Sequence, residues 1–153
     1  MLDGKKIVAL LPIKANSERV RGKNFRNLHG KPLFMWILET LLSVDEIDLI
    51  VINTDARRML QQAGLPVNNR ILVRDRIVTL LGDHVSMNLI LEDDINNVKS
   101  DVYLMTHATN PLLSKKTIFA ALNSFISSPQ NDSLFSVNRV QTRFYRSDMS
   151  PVN

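Results

Sequence analysis

The chain has 153 residues, 44% hydrophobic and 22% charged, with a net charge of +4. That length supports one domain with a sizeable core, and the composition is ordinary for a globular protein. The absence of cysteine excludes disulfides and thiolate zinc sites. No apolar run approaches the roughly 20 residues of a membrane span. The mild positive excess, without a Lys/Arg block or interleaved aromatics, suits an anionic ligand and does not require nucleic acid.

The first six residues have no signal-peptide pattern, so a cytoplasmic protein is the default expectation. Residues 6–11 form an apolar run that predicts a strand covered on both faces. The following loop holds Lys14, Arg19, Arg21 and Lys23, with Ser17, Gly22 and Asn24 beside them. Small residues of this kind let backbone N–H groups face an anion. A cation-rich loop between a first strand and a first helix is where open α/β folds place a nucleotide phosphate. It is neither a P-loop nor a GxGxxG fingerprint, which speaks against a nicotinamide-dependent oxidoreductase.

Gly30 suits a turn and Pro32 a first helical turn. Residues 33–44 predict a helix with Leu33, Ile37, Leu38, Leu41 and Leu42 on one stripe, and Trp36 reads as a packing residue. Residues 48–55 predict a second buried strand, with Asp55 capping a helix over 56–63 that Gly64 ends. A third strand at 71–73 leads to Arg74 and Arg76. Asp83 suits a cap before a helix over 87–98. Glu92, Asp93 and Asp94 are expected on a solvated face, because three adjacent helical acids spread over about 200° and cannot share one ion. A fourth strand at 101–105 runs into His107, Ala108 and Thr109. Ser114 caps the next helix, and 133–137 predicts a fifth strand. Arg143 and Arg146 then lie in a basic loop that meets an acidic ligand or simply solvent. Alternating strands and helices predict an α/β fold with a mostly parallel sheet and right-handed crossovers.

Several of these segments together resemble the cytidylyltransferases that activate acidic sugars, the CMP-sialic acid and CMP-KDO synthetases. Ser17, Lys23 and Asn24 match the family's first motif, while Lys14 stands for its Arg and Glu18 for its Lys. Gly30-Lys31-Pro32-Leu33 matches almost word for word. Asn53-Thr54-Asp55 resembles the family's S-T-D, and Arg76 to Asp83 fits an Arg–Asp spacing before Ser86, with Arg74 the runner-up for that Arg. His107-Ala108-Thr109-Asn110-Pro111-Leu112 resembles Q-P-T-S-P-L, with His107 for Gln and Asn110 for Ser.

The resemblance implies a Rossmann-like three-layer α/β/α fold of the nucleotide-diphospho-sugar transferase type. It implies one nucleotide-binding domain over 1–153, the N-terminal two thirds of a longer cytidylyltransferase. It implies CTP and an acidic sugar as substrates, with no nucleic acid or membrane partner and a homodimer for the full-length form. Lys14 would contact the triphosphate, with backbone N–H groups around Asn16 and Ser17 cradling it, and Lys23 would stabilise charge near the α-phosphate. Asn24, Arg76 and Ser86 would hold the nucleoside, and His107 and Thr109 would lie between nucleotide and sugar. Mg²⁺ is implied, with ligands beyond residue 153, so the chain is expected to hold a nucleotide better than it turns one over. A non-catalytic nucleotide- or sugar-binding module on the same fold is the alternative.

Overall fold

The computed structural model describes residues 2–17 and 20–152; Glu18 and Arg19 lie outside the described residues. In chain order the elements are β1 (Ile7–Leu10), a hairpin of β2 (Asn27–Leu28) and β3 (Lys31–Pro32), α1 (Leu33–Ser43), β4 (Leu49–Thr54), α2 (Arg57–Gln62), β5 (Ile71–Asp75), α3 (Met87–Asn97), β6 (Val102–Met105) and α4 (Lys115–Ile126). The four longer strands form one parallel sheet in the order β5-β4-β1-β6.

β1 is central. Its Ile-Val-Ala-Leu sequence is buried on both faces, as the continuous apolar run predicts. Alternate side chains point to opposite faces of a strand. Ile7 and Ala9, with Leu11 and Ile13 beyond them, join the core formed with Phe34, Ile37, Leu38 and Leu41 of α1, Leu60 of α2 and Ile118 and Leu122 of α4. Val8 and Leu10 join Val51, Val98 and Leu91 on the other face, under α3. The sheet is therefore sandwiched between α1, α2 and α4 on one side and α3 on the other, which is the expected three-layer α/β/α fold.

Pairing with β4 continues past the end of β1. Leu11 N–H donates to Val51 O at 2.8 Å and Ile13 N–H to Asn53 O at 2.9 Å. The alternation leaves the N–H that Pro12 lacks on the β6 side, where that ladder is ending. The hairpin turn has positive φ at both His29 (55°) and Gly30 (97°), as a primed two-residue turn requires. Trp36 of α1 donates from Nε1 to Leu28 O at 2.9 Å, and the Lys31 ammonium sits 3.8 Å from its ring centroid. Trp36 thus pins the hairpin to α1, in keeping with a packing role.

Gly64 takes the expected left-handed conformation (φ 84°) after α2, and Ser114 caps α4 by accepting from Thr117 N–H at 3.2 Å. Four local expectations are corrected. Asp55 does not cap α2: Ala56 intervenes, Thr54 Oγ1 takes the Ala56 N–H at 2.9 Å, and Asp55 turns to the loop after β1. Asp83 does not cap α3. Ser86, immediately before the helix, does so through Asn88 N–H, while Asp83 pairs with Lys14. Of the three adjacent acids Glu92 is exposed as expected, but Asp94 is buried, because it falls on the inward stripe of α3 with Ile90 and Val98, and Asp93 is half-buried against Arg74. Residues 133–137 form no strand. They make no ladder to the free edge of β6, and Phe135 and Val137 are exposed, since β-propensity without a paired edge does not make a strand. No helix among the described residues is long and apolar enough to cross a membrane.

Leu41 is fully buried where α1 meets the sheet, whereas Leu42 is half-buried beside it. Leu41→Ala is expected to cost about 2–5 kcal/mol of stability, and Leu42→Ala clearly less, by urea denaturation.

Candidate functional site

All four sheet strands point the same way. The chain moves from β1 outward through β4 to β5, then crosses back to β6 on the far side of β1. In open α/β sheets ligands bind outside the carboxyl ends of the strands, at the point where the strand order reverses. Here that point lies between β1 and β6. A cleft of about 150 Å³ opens there, and its walls include Lys14, Lys23, Asn24, Arg76, His107 and Thr109. Segments distant in sequence thus bring six of the nine expected site residues together.

The loop after β1 is tied down at two points by side chains of the protein. Asp55 Oδ1 accepts the Ala15 N–H at 2.7 Å, and the buried Asn24 donates from Nδ2 to Lys14 O at 2.9 Å. Gly22, at φ 59°, lets the chain turn into the short 3₁₀ helix Lys23–Phe25. Lys14 Nζ meets Asp83 Oδ1 at 2.5 Å. Among the described residues Lys23 has no side-chain hydrogen bond or ion pair, so its ammonium is uncommitted. His107 and Thr109 are exposed on the opposite wall, after β6.

Three expected residues are not in the cleft wall. Asn16 is exposed, Ser17 is buried with its hydroxyl unpartnered, and Ser86 is spent on capping α3. Arg143 and Arg146 also lie outside it. Arg143 is exposed, and Arg146 bonds Pro151 O at 3.1 Å within the C-terminal segment.

The two arginines after the third predicted strand separate cleanly. Arg76 lines the cleft, donating from Nε to Asn53 Oδ1 at 3.0 Å and from Nη2 to Asn53 O at 3.1 Å. Burial lowers its pKa, while nearby Asp55 and Asp94 favour its charge. Arg74 instead forms an ion pair with Asp94 and, at 3.0 Å, with Asp93. Burial holds the Asp94 carboxyl above the usual carboxylate range, against the bonds it accepts from Asn53 and Arg74. Sequence reasoning missed Asn53 and Asp94. The legible signals were an amide inside an otherwise apolar strand, and an acid in step with Ile90 and Val98.

Asp83 is the one carboxylate in the cleft wall among the described residues. No group of three or more His, Asp or Glu among the described residues is arranged to hold a metal ion. Magnesium is usually held by one or two carboxylates together with substrate phosphate oxygens, so Asp83 is the described cleft residue that could hold it.

Two outcomes follow. Replacing Arg74 with Met leaves a buried carboxylate without its cation, and is expected to cost about 3–5 kcal/mol at neutral pH. A carboxyl with a raised folded pKa gives stability that is full below its unfolded value of 3.8 and lost as pH rises through the folded value. The deficit of Arg74→Met should therefore shrink as urea denaturation is repeated at progressively lower pH. Asp83→Asn frees Lys14 and removes a negative charge from the cleft. Binding of an inorganic triphosphate should tighten about two- to fivefold by calorimetry, the worth of an exposed ion pair.

Residues 8–149 match the sequence profile of the cytidylyltransferase family. The pseudaminic acid cytidylyltransferase of Campylobacter jejuni is 26% identical over 96% of this chain and 66% of its own length. The CMP-N,N'-diacetyllegionaminic acid synthase of Legionella pneumophila is 30% identical over 74% of this chain and 50% of its own. Among solved structures, a CMP:2-keto-3-deoxy-manno-octonic acid synthetase complexed with CTP superposes with a TM-score of 0.66. It is 23% identical and covers 81% of this chain and 48% of its own, a likeness of fold. The chain spans from about half to two thirds of the length of the curated relatives it matches. Because the family profile takes in nearly the whole sequence, the chain belongs to the cytidylyltransferase family.

Proposed function

We propose that the cleft binds CTP and serves transfer of a CMP group to an acidic sugar. One observation carries this reading: Lys14 and Lys23 of the loop after β1 and Arg76 after β5 converge at the strand-order reversal, with Asp83 the single carboxylate among the described residues of the wall. Such a site suits a polyphosphate and leaves room for little else of like charge. The substrates named for the relatives, pseudaminic, 3-deoxy-manno-octulosonic and diacetyllegionaminic acids, are all acids, which supports the acceptor class. The family assignment displaces the nicotinamide-dependent reading.

In the proposed reaction a sugar hydroxyl oxygen bonds to the α-phosphorus of CTP. The bond from that phosphorus to the β-phosphate bridging oxygen breaks, pyrophosphate departs and the hydroxyl proton passes to water. There is little covalent work for side chains in such a transfer; positioning and charge neutralisation supply the acceleration. Lys23, uncommitted in the cleft, neutralises charge near the α-phosphate. Lys14 exchanges Asp83 for the triphosphate tail. As a point charge it lacks the bidentate fork of the arginine in the resembled motif. Arg76 and Asn24 hold the nucleoside, while His107 and Thr109 stand where the sugar approaches. Mg²⁺ belongs to the proposal through the family resemblance; held at Asp83, it would supply charge neutralisation at the phosphates. A cytoplasmic setting belongs to the same proposal.

A thermal-shift series with CTP, UTP, ATP, GTP and NADH, each with Mg²⁺, tests the binding. Selective stabilisation by CTP is expected; indifference to all five overturns the reading. Lys23→Ala should then lower pyrophosphate release in the presence of an acidic sugar by about a hundredfold, the scale of one lost charge-stabilising donor. A binding-only module would share the CTP response and release no pyrophosphate.

A further inference from the structure

We propose that Asn53, oriented by Asp94, is a positioning residue that holds the Arg76 guanidinium in the cleft and so sets the grip on the nucleotide. The inference rests on the CTP-binding reading and goes beyond it to a residue that does not line the cleft.

Asn53 is fully buried near the end of β4, in register with Arg74 of β5. It takes hold of Arg76 twice, with its side-chain oxygen on Nε and its backbone carbonyl on Nη2. Two of the three guanidinium nitrogens are thus fixed to one residue that the sheet itself immobilises. The other end of the amide faces acid: Nδ2 donates to Asp94 Oδ1 at 2.8 Å and reaches Asp93 Oδ2 at 3.4 Å. The amide can point only one way. A guanidinium only donates and a carboxylate only accepts, so the oxygen must face Arg76 and the nitrogen Asp94.

Arg74 of β5 completes the set by pairing with both acids, which ties Asp94 and α3 to the sheet. Serine, aspartate and leucine each fail to reproduce this bridge. Serine, the residue in the motif this strand resembles, is too short to span from Arg76 to Asp94. Aspartate would set a second carboxylate against Asp94, and leucine would drop both bonds. Arg76 itself keeps its charge under partial burial with help from Asp55 and Asp94. The path Asp94–Asn53–Arg76 therefore links the buried face of α3 to the cleft.

The test is a double-mutant cycle on CTP affinity, with Asn53→Ala, Arg76→Ala and the double variant compared with wild type by calorimetry. Asn53→Ala should weaken CTP binding about tenfold, the scale of a lost hydrogen bond to a charged group. The double variant should bind no more weakly than Arg76→Ala alone, because contacting residues in one network are non-additive. A merely structural Asn53 would give additive losses, and that result, or an Asn53→Ala protein binding like wild type, overturns the proposal. Asn53→Ser takes the place of Asn53→Ala in the cycle should the alanine variant not fold. In parallel, the Nε–H resonance of Arg76 should be protected from solvent exchange in wild type and lose protection in either Asn53 variant. Unchanged protection overturns the proposal whatever CTP does. Wild type that leaves CTP unbound overturns the functional reading, while the exchange measurement still decides whether Asn53 holds Arg76.

Discussion

The structure depends on β1 being paired on both sides and buried on both faces. Ile7 through Leu10 align with β4 in register Val8↔Leu49 and with β6 in register Ile7↔Val102. With both ladders parallel, every strand must deliver its carboxyl end to the same edge of the sheet. That edge is where backbone pairing runs out and polar loops begin. The ladder to β4 persists through Ile13, so the loop that carries Lys14 leaves the sheet from a fixed point.

That geometry concentrates positive charge. Among the described residues three cations share the cleft with one carboxylate, and of the three Lys14 is the one ion-paired to it. Like charges held close together repel, and the arrangement persists because other bonds hold the loops in place. Asp55 holds the Ala15 N–H, Asn24 holds the Lys14 carbonyl and Asn53 holds Arg76. An anion entering such a site meets donors that are already oriented, and little further ordering is required.

The polar groups beneath the cleft have a different energetic character. Asp94 is fully buried and one of its oxygens has no hydrogen-bond partner. Burying a charge is costly even when it is paired, so an apolar residue beside Ile90 and Val98 would be the simpler choice for stability alone. The acid makes physical sense as part of a set with Arg74, Asn53 and Arg76, in which each member satisfies or orients the next. A set of this kind gives specificity of arrangement at a cost in stability.

The periodicity of the chain determined most of the fold. The apolar run at β1, the stripe on α1, Gly64 after α2 and Ser114 before α4 are local signals, set by backbone sterics and by which residues must leave water. The family motifs likewise placed Lys14, Lys23, Asn24, Arg76, His107 and Thr109, and the fold brings them together. What the sequence left undecided was the partner of each acid. Asp55, Asp83 and Asp94 each read locally as a cap or a solvated charge, yet they meet Ala15, Lys14 and Asn53, which lie 40, 69 and 41 residues away. The same limit explains residues 133–137, whose side chains suit a strand but which have no paired edge. Local patterning fixes which face a residue shows; only the packed sheet decides what that face meets, because partners are chosen by topology and not by spacing.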